Sequence, residues 1–141
     1  MVSKPPKSDK DFLIMGLINT TLGQDLLEKG DFRESRYYAQ ILNRAMRLFL
    51  RSNQNFSNMY RNDELTYYFL VSFLIVDCCR IALGEITLEA YEKLVVKARE
   101  AVRKQLTKNS EFVQKLEKVF ECHRRILEQD KSFNVVGQNS C

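Results

Sequence analysis

Reactive side chains are few in this chain: one histidine, His123, and four cysteines, Cys78, Cys79, Cys122 and Cys141. His123 with Cys78, Cys79 and Cys122 matches a four-ligand zinc site by residue type. The spacing fits a single tetrahedral ion poorly, because neighbouring residues on a helix diverge by about 100°. Cysteine is also among the most commonly buried residue types. His123 falls on the apolar stripe of a helix, which reads as a core position rather than a catalytic base. The sequence contains no glycine-rich phosphate loop, nucleophile elbow or paired metal motif. The expectation is a chain with no enzymatic activity, no cofactor and no metal.

Charge and signals narrow the classes further. The net charge is +4, on 22 basic and 18 acidic residues. The densest basic stretch, Lys97, Arg99, Arg103 and Lys104, is interrupted by Glu100, so it reads as a solvated helix face and not as a nucleic-acid footprint. Met1–Lys10 is polar and basic, with no apolar stretch of a secretory signal. Position 2 is Val2, where myristoylation needs glycine. The tail from Phe133 to Cys141 is short and polar, so no stable membrane anchor is expected. Cysteines without a secretory signal point to a reducing, cytoplasmic setting. In a mobile tail, Cys141 would be the thiol free to link two chains on oxidation.

The elements that must position these groups are all helical. Residues 1–8 read as a disordered arm, 9–129 as one helical domain and 130–141 as a polar, flexible tail. Ser8 with Asp11 offers a capping pattern for a first helix that ends at Gly30. That helix carries Phe12–Ile18, Leu22, Leu26 and Leu27, an apolar face wide enough to predict thorough burial. Asp31 caps a second helix whose stripe is Tyr38, Ile41, Leu42, Ala45, Leu48 and Phe49. A Ser- and Asn-rich connector, 51–62, precedes the helix Glu64–Leu83, in which Leu65–Val76 holds no charge. A membrane span needs about twenty apolar residues, and Asp77 and Arg80 interrupt this run. A helix apolar on every side is instead the centre of a bundle. Thr87 caps the next helix, with Tyr91, Leu94, Val95, Ala98 and Val102 inward. Asn109 or Ser110 caps the last, with Phe112, Leu116, Val119, Phe120, His123, Ile126 and Leu127 on one face. No strand alternation or hairpin dipeptide occurs. The fold class is all-α, a globular bundle around an apolar central helix.

Several stretches resemble the Bcl-2 family of apoptosis regulators. Leu13–Gln24 resembles its fourth homology motif in apolar spacing. Leu42-Asn43-Arg44-Ala45-Met46-Arg47-Leu48-Phe49 places Leu, Ala and Phe as the third motif does, with Met46 and Arg47 where that motif has a small residue and Asp. Asn62 opens the central helix where the first motif begins, but its Trp, Gly and Arg are absent. In a second register, Val76–Ile81 supplies an arginine. Lys108-Asn109-Ser110-Glu111-Phe112 resembles a degraded second motif, with Phe112 in place of Trp.

This resemblance, strongest to short and divergent viral members, implies a pro-survival protein that sequesters the amphipathic helix of a pro-apoptotic partner in a surface groove. It implies a groove from Leu42, Ala45, Met46, Phe49, Phe56, Leu65 and Phe69, with Arg61 as the nearest cation for a ligand aspartate. Two alternatives remain: a helical adaptor, since Leu22-Gly23, Leu26, Gly30-Asp31-Phe32 and Ala39 match one tetratricopeptide unit without a second copy, and a homodimerising bundle.

Overall fold

Gly30 and Gly84 are where two helices end and the chain turns back. Both take positive φ, 83° and 77°, a region that glycine enters without steric cost. At each, two backbone bonds close the helix: Gly30 to Leu27 and Asp31 to Leu26, then Gly84 to Ile81 and Glu85 to Arg80. This is the Schellman ending. The computed structural model describes residues 9–52, 63–107 and 110–132. Five helices result: α1 Asp9–Glu28, α2 Phe32–Ser52, α3 Asp63–Ala82, α4 Leu88–Gln105 and α5 Glu111–Ser132. Helix α5 therefore runs three residues into the stretch read as tail. Ser8, Asn109 and Cys141 lie outside the described residues.

Local capping follows the sequence closely. The Glu34 N–H donates to Asp31 Oδ1, Ala90 N–H to Thr87 Oγ1 and Phe112 N–H to Ser110 Oγ, each satisfying a donor the first turn leaves unpaired. Asp63 begins α3, one residue before the expected Glu64, and its carboxylate accepts the Thr107 N–H at 3.2 Å. It thereby ties the end of α4 to the start of α3.

Helix α3 packs against all four other helices. A repeat solenoid would place each element only against its neighbours. Its first half supplies Leu65, Tyr68 and Phe69 to a core shared with Phe12, Met15, Leu42 and Met46. Its second half supplies Val71, Leu74, Ile75, Cys78 and Cys79 to a larger core closed by α4 and α5. By length and composition α3 is the one described helix apolar enough to cross a membrane, and 56% of that window is buried inside the bundle.

Two outer helices depart from expectation. The inward line of α2 is Ser35, Ala39, Leu42 and Met46, while Leu48 points away and is 63% exposed. Helix α1 buries Phe12, Met15 and Leu27 but leaves Ile14, Leu17, Ile18 and Leu22 in solvent. Its inner face fits closely because Gly16 has no side chain. A Cβ there would lie 2.5 Å from Tyr68 Cδ2 and 2.9 Å from Tyr68 Cβ, and the Tyr68 hydroxyl is itself bonded to Glu64. Alanine in place of glycine normally strengthens a helix interior by about 1 kcal/mol. Gly16→Ala should reverse that sign and cost about 1–3 kcal/mol through overpacking, read from urea unfolding; a gain in stability would show that the ring yields freely.

Candidate functional site

His123 occupies the centre of a buried polar chain. Tyr91 Oη lies 2.9 Å from Nδ1, Nε2 lies 2.9 Å from Gln24 Oε1, and Gln24 Nε2 donates to Cys122 Sγ at 2.9 Å. A neutral ring satisfies every contact when Nδ1 accepts from the tyrosine and Nε2–H donates to the amide. The chain joins α1, α4 and α5 through one imidazole with no exposed surface. Burial pushes its pKa down to about 3, because charge is disfavoured where water cannot solvate it. The ring has no exposed surface, and its contacts tie three helices together.

Cys78, Cys79 and Cys122 do not gather with His123 into one ligand set. Cys78 and Cys79 are buried free thiols, and Cys122 is disulfide-bonded. Burial raises the Cys79 thiol to about 11, against lesser lowering by Ser35 and Arg36, so it stays protonated at neutral pH and is a poor nucleophile. Among the described residues no three His, Cys, Asp or Glu side chains gather as a metal set.

The groove expected on α2 is filled. Leu42, Met46 and Leu65 are fully buried in the smaller core, and Ala45 packs partly buried against it. Apolar anchors needed to seat α1 on α2 and α3 are not free to receive a ligand. Phe49 belongs to α2, but its side chain, like Phe56 and Arg61, lies outside the described residues. Among the described residues of the expected lining, Phe69 alone reaches an open groove, one helix further on.

That groove runs between α3 and α4 and encloses about 270 Å³. Phe69, Leu70 and Phe73 form one wall, Leu94, Ala98 and Ala101 the other, with Lys97 the one charged lining residue. The Phe69 and Phe73 rings meet edge to face, with centroids 4.9 Å apart. Arg47 of α2 lies over the Phe73 ring at 4.9 Å, a cation–π contact. The site therefore offers an apolar floor between two cations from different helices. Arg47 was visible in the sequence only as a departure from a motif. Its role depends on Phe73, twenty-six positions away on another helix, and no local pattern announces it.

A second cleft, between α4 and α5, is gated differently. Arg99 grips Glu117 with two bonds of 3.0 and 2.9 Å and covers the Phe120 ring at 5.1 Å. Both residues line this cleft together with Val95, Phe120 and the exposed Val96. Among the described residues no such clasp spans the α3–α4 groove.

No protein-family model, curated protein or solved structure matches the chain. The described residues form an all-α bundle of five helices with an apolar groove between α3 and α4.

Proposed function

We propose that this chain is a non-catalytic binding module that captures an amphipathic helix in the α3–α4 groove. The observation that carries this reading is the Phe69–Phe73 floor with Arg47 stacked on it and Lys97 on the opposite wall. Its volume falls below the roughly 300 Å³ at which small-molecule pockets begin, and it suits one or two apolar side chains of a ligand helix. Helix-in-groove recognition uses anchors at i, i+3 or i+4, and the flanking cations favour an acidic residue among them. An apolar helix with an embedded aspartate is the chemistry of pro-apoptotic ligand helices, so the resemblance to apoptosis regulators and the groove favour the same partner class. The groove lies one helix beyond the one that resemblance implies.

The test is a calorimetric titration with a panel of pro-apoptotic helix peptides. Saturable binding is expected. Ala101→Trp, which fills the groove, should weaken it at least about tenfold, or ~1.4 kcal/mol, while thermal unfolding stays within a few degrees. Arg47→Glu should weaken most those peptides that carry the aspartate. A cooperatively folded chain that binds none of the panel would overturn the reading, as would binding indifferent to Ala101→Trp.

A further inference from the structure

We infer that the outward face of α2 binds the phosphate backbone of a nucleic acid through a row of arginines. Between Phe32 and Ser52 stand Arg33, Arg36, Arg44, Arg47 and Arg51, against a single acid, Glu34. That surplus equals the net charge of the whole chain, +4, so acids and bases balance over everything else. The helix holds no lysine, and arginine is the cation whose flat, forked head suits phosphate oxygens. At about 100° per residue, Arg33, Arg36, Tyr37, Arg44 and Arg47 fall within an arc of about 100°. That arc lies opposite the buried line of Ser35, Ala39, Leu42 and Met46, and Glu34 stands outside it.

The charge on this face is largely unspent. Arg33, Arg44 and Arg47 are exposed. Arg36 is bonded to Glu85, and Arg47 lies over Phe73. Among the described residues Arg33 and Arg44 form no ion pair. Glu85, an acid within long-range reach of Arg33, is already held by Arg36 and Arg80. From Arg33 to Arg47 the row is about 21 Å long, a length over which a duplex carries about twelve phosphates. Tyr37, 54% exposed and met edge to face by Tyr38, offers a ring on which an unpaired base can stack. Two other anionic partners fit this face less well. A membrane-surface helix buries its apolar side in lipid, and that of α2 is already seated on α1 and α3. A protein interface is built round an apolar core, and among the described residues of α2 only Tyr37 and Leu48 are large, apolar and exposed. Nucleic-acid affinity comes chiefly from phosphate charge. The face does not depend on the helix-capture reading, although Arg47 borders both it and the α3–α4 groove.

Fluorescence anisotropy of the full chain with a labelled strand of about 20 nucleotides, alone and as its duplex, tests the inference. Saturable binding is expected, with log K falling against log salt at a slope of about −2 to −4, as neutralising about two to four phosphates requires. Arg33→Glu with Arg44→Glu should weaken binding at least about tenfold and flatten that slope, while the thermal melt is retained. Lys93→Glu with Lys118→Glu makes the same change in net charge at exposed sites on α4 and α5. That pair should weaken binding less than about threefold, because salt screens charges away from the contact. Tyr37→Ala should weaken the single strand more than the duplex, and an equal effect on both would remove the stacking role. A folded chain that binds neither form, or binds with no salt dependence, overturns the proposal. So does an equal loss from the arginine and lysine pairs, which would make the effect one of net charge alone. Anionic lipid vesicles or poly-glutamate bound as tightly as the oligonucleotides would overturn the nucleic-acid class. In the helix-peptide titration the Arg33 and Arg44 substitutions should be silent, so failure here is distinguishable from failure of the groove.

Discussion

Leu74→Asp is expected to abolish the cooperative unfolding transition, leaving a chain with no sharp melt and with exposed apolar surface. Leu74 is fully buried within the larger core, on the helix that every other helix packs against. The substitution removes about 2–3 kcal/mol of side-chain burial and adds the several-kcal/mol cost of a buried, unpaired carboxylate. A domain is typically stable by only about 5–15 kcal/mol. The nearest cation along the helix, Arg80, is already engaged with Asp77 and Glu85, and it stands at the rim. The same substitution at Leu17, more than half exposed, should leave the melt nearly unmoved. Circular dichroism melts of the two variants decide the matter, and a sharp transition for Leu74→Asp within a few degrees of wild type would refute the buried central helix.

Acid should weaken the fold through His123 well before the carboxylates titrate. The folded-state pKa is pushed down to about 3 by complete burial, whereas an unfolded histidine titrates near 6.5. Below about pH 6.5 the unfolded chain binds a proton that the folded chain refuses, so stability falls as pH falls through this window. The slope is about 1.4 kcal/mol per pH unit, which makes the loss about 2 kcal/mol at pH 5. His123 is the only histidine in the sequence, so no other imidazole contributes.

Two carboxylates modify the picture lower down. Burial raises Asp77 despite its pairing with Arg80, which favours the fold on acidification. The Arg36 bond lowers Glu85, which disfavours it. The two act with opposite signs, and the interval from about pH 6.5 to 5 is where the unfolded histidine begins to take up its proton. His123→Gln should flatten that interval in denaturant titrations, even though it lowers stability at pH 7 by disturbing the contacts to Tyr91 and Gln24. An unchanged slope would mean that the ring is solvated.

What could be read from the residues in order was whatever depends on a few neighbours along the chain. Asp31, Thr87 and Ser110 cap because a side-chain oxygen two or three residues from a free N–H needs no tertiary partner. Gly30 and Gly84 end their helices because positive φ is a property of the residue itself. The uncharged run Leu65–Val76 identified the central helix, since such a run tolerates no solvent side. His123 was legible as a core residue from its place on an apolar stripe.

Side assignments needed the packed structure. On α2 the stripe through Leu48 is apolar enough at helical spacing, yet the true inward line is Ser35, Ala39, Leu42 and Met46. A serine and an alanine face inward because α1 approaches closely there, the Ser35 hydroxyl donating to Gly23 O at 2.6 Å. Small residues carry little hydrophobic signal, so the pattern found Leu42, Ile41 and Ala45 on the core side but missed Ser35 and Ala39 and took in the exposed Leu48. The same limit displaced the groove. Whether Leu42, Met46 and Leu65 are open or sealed depends on whether another helix covers them, and α1 does. It also left α1 with more aliphatic surface than two neighbours can bury. The sequence by itself determined helix number, helix ends and the central element, because those follow from propensity and local hydrogen bonding. Only the tertiary structure decided which apolar faces are core and which remain exposed, because burial is a property of the neighbours a residue acquires.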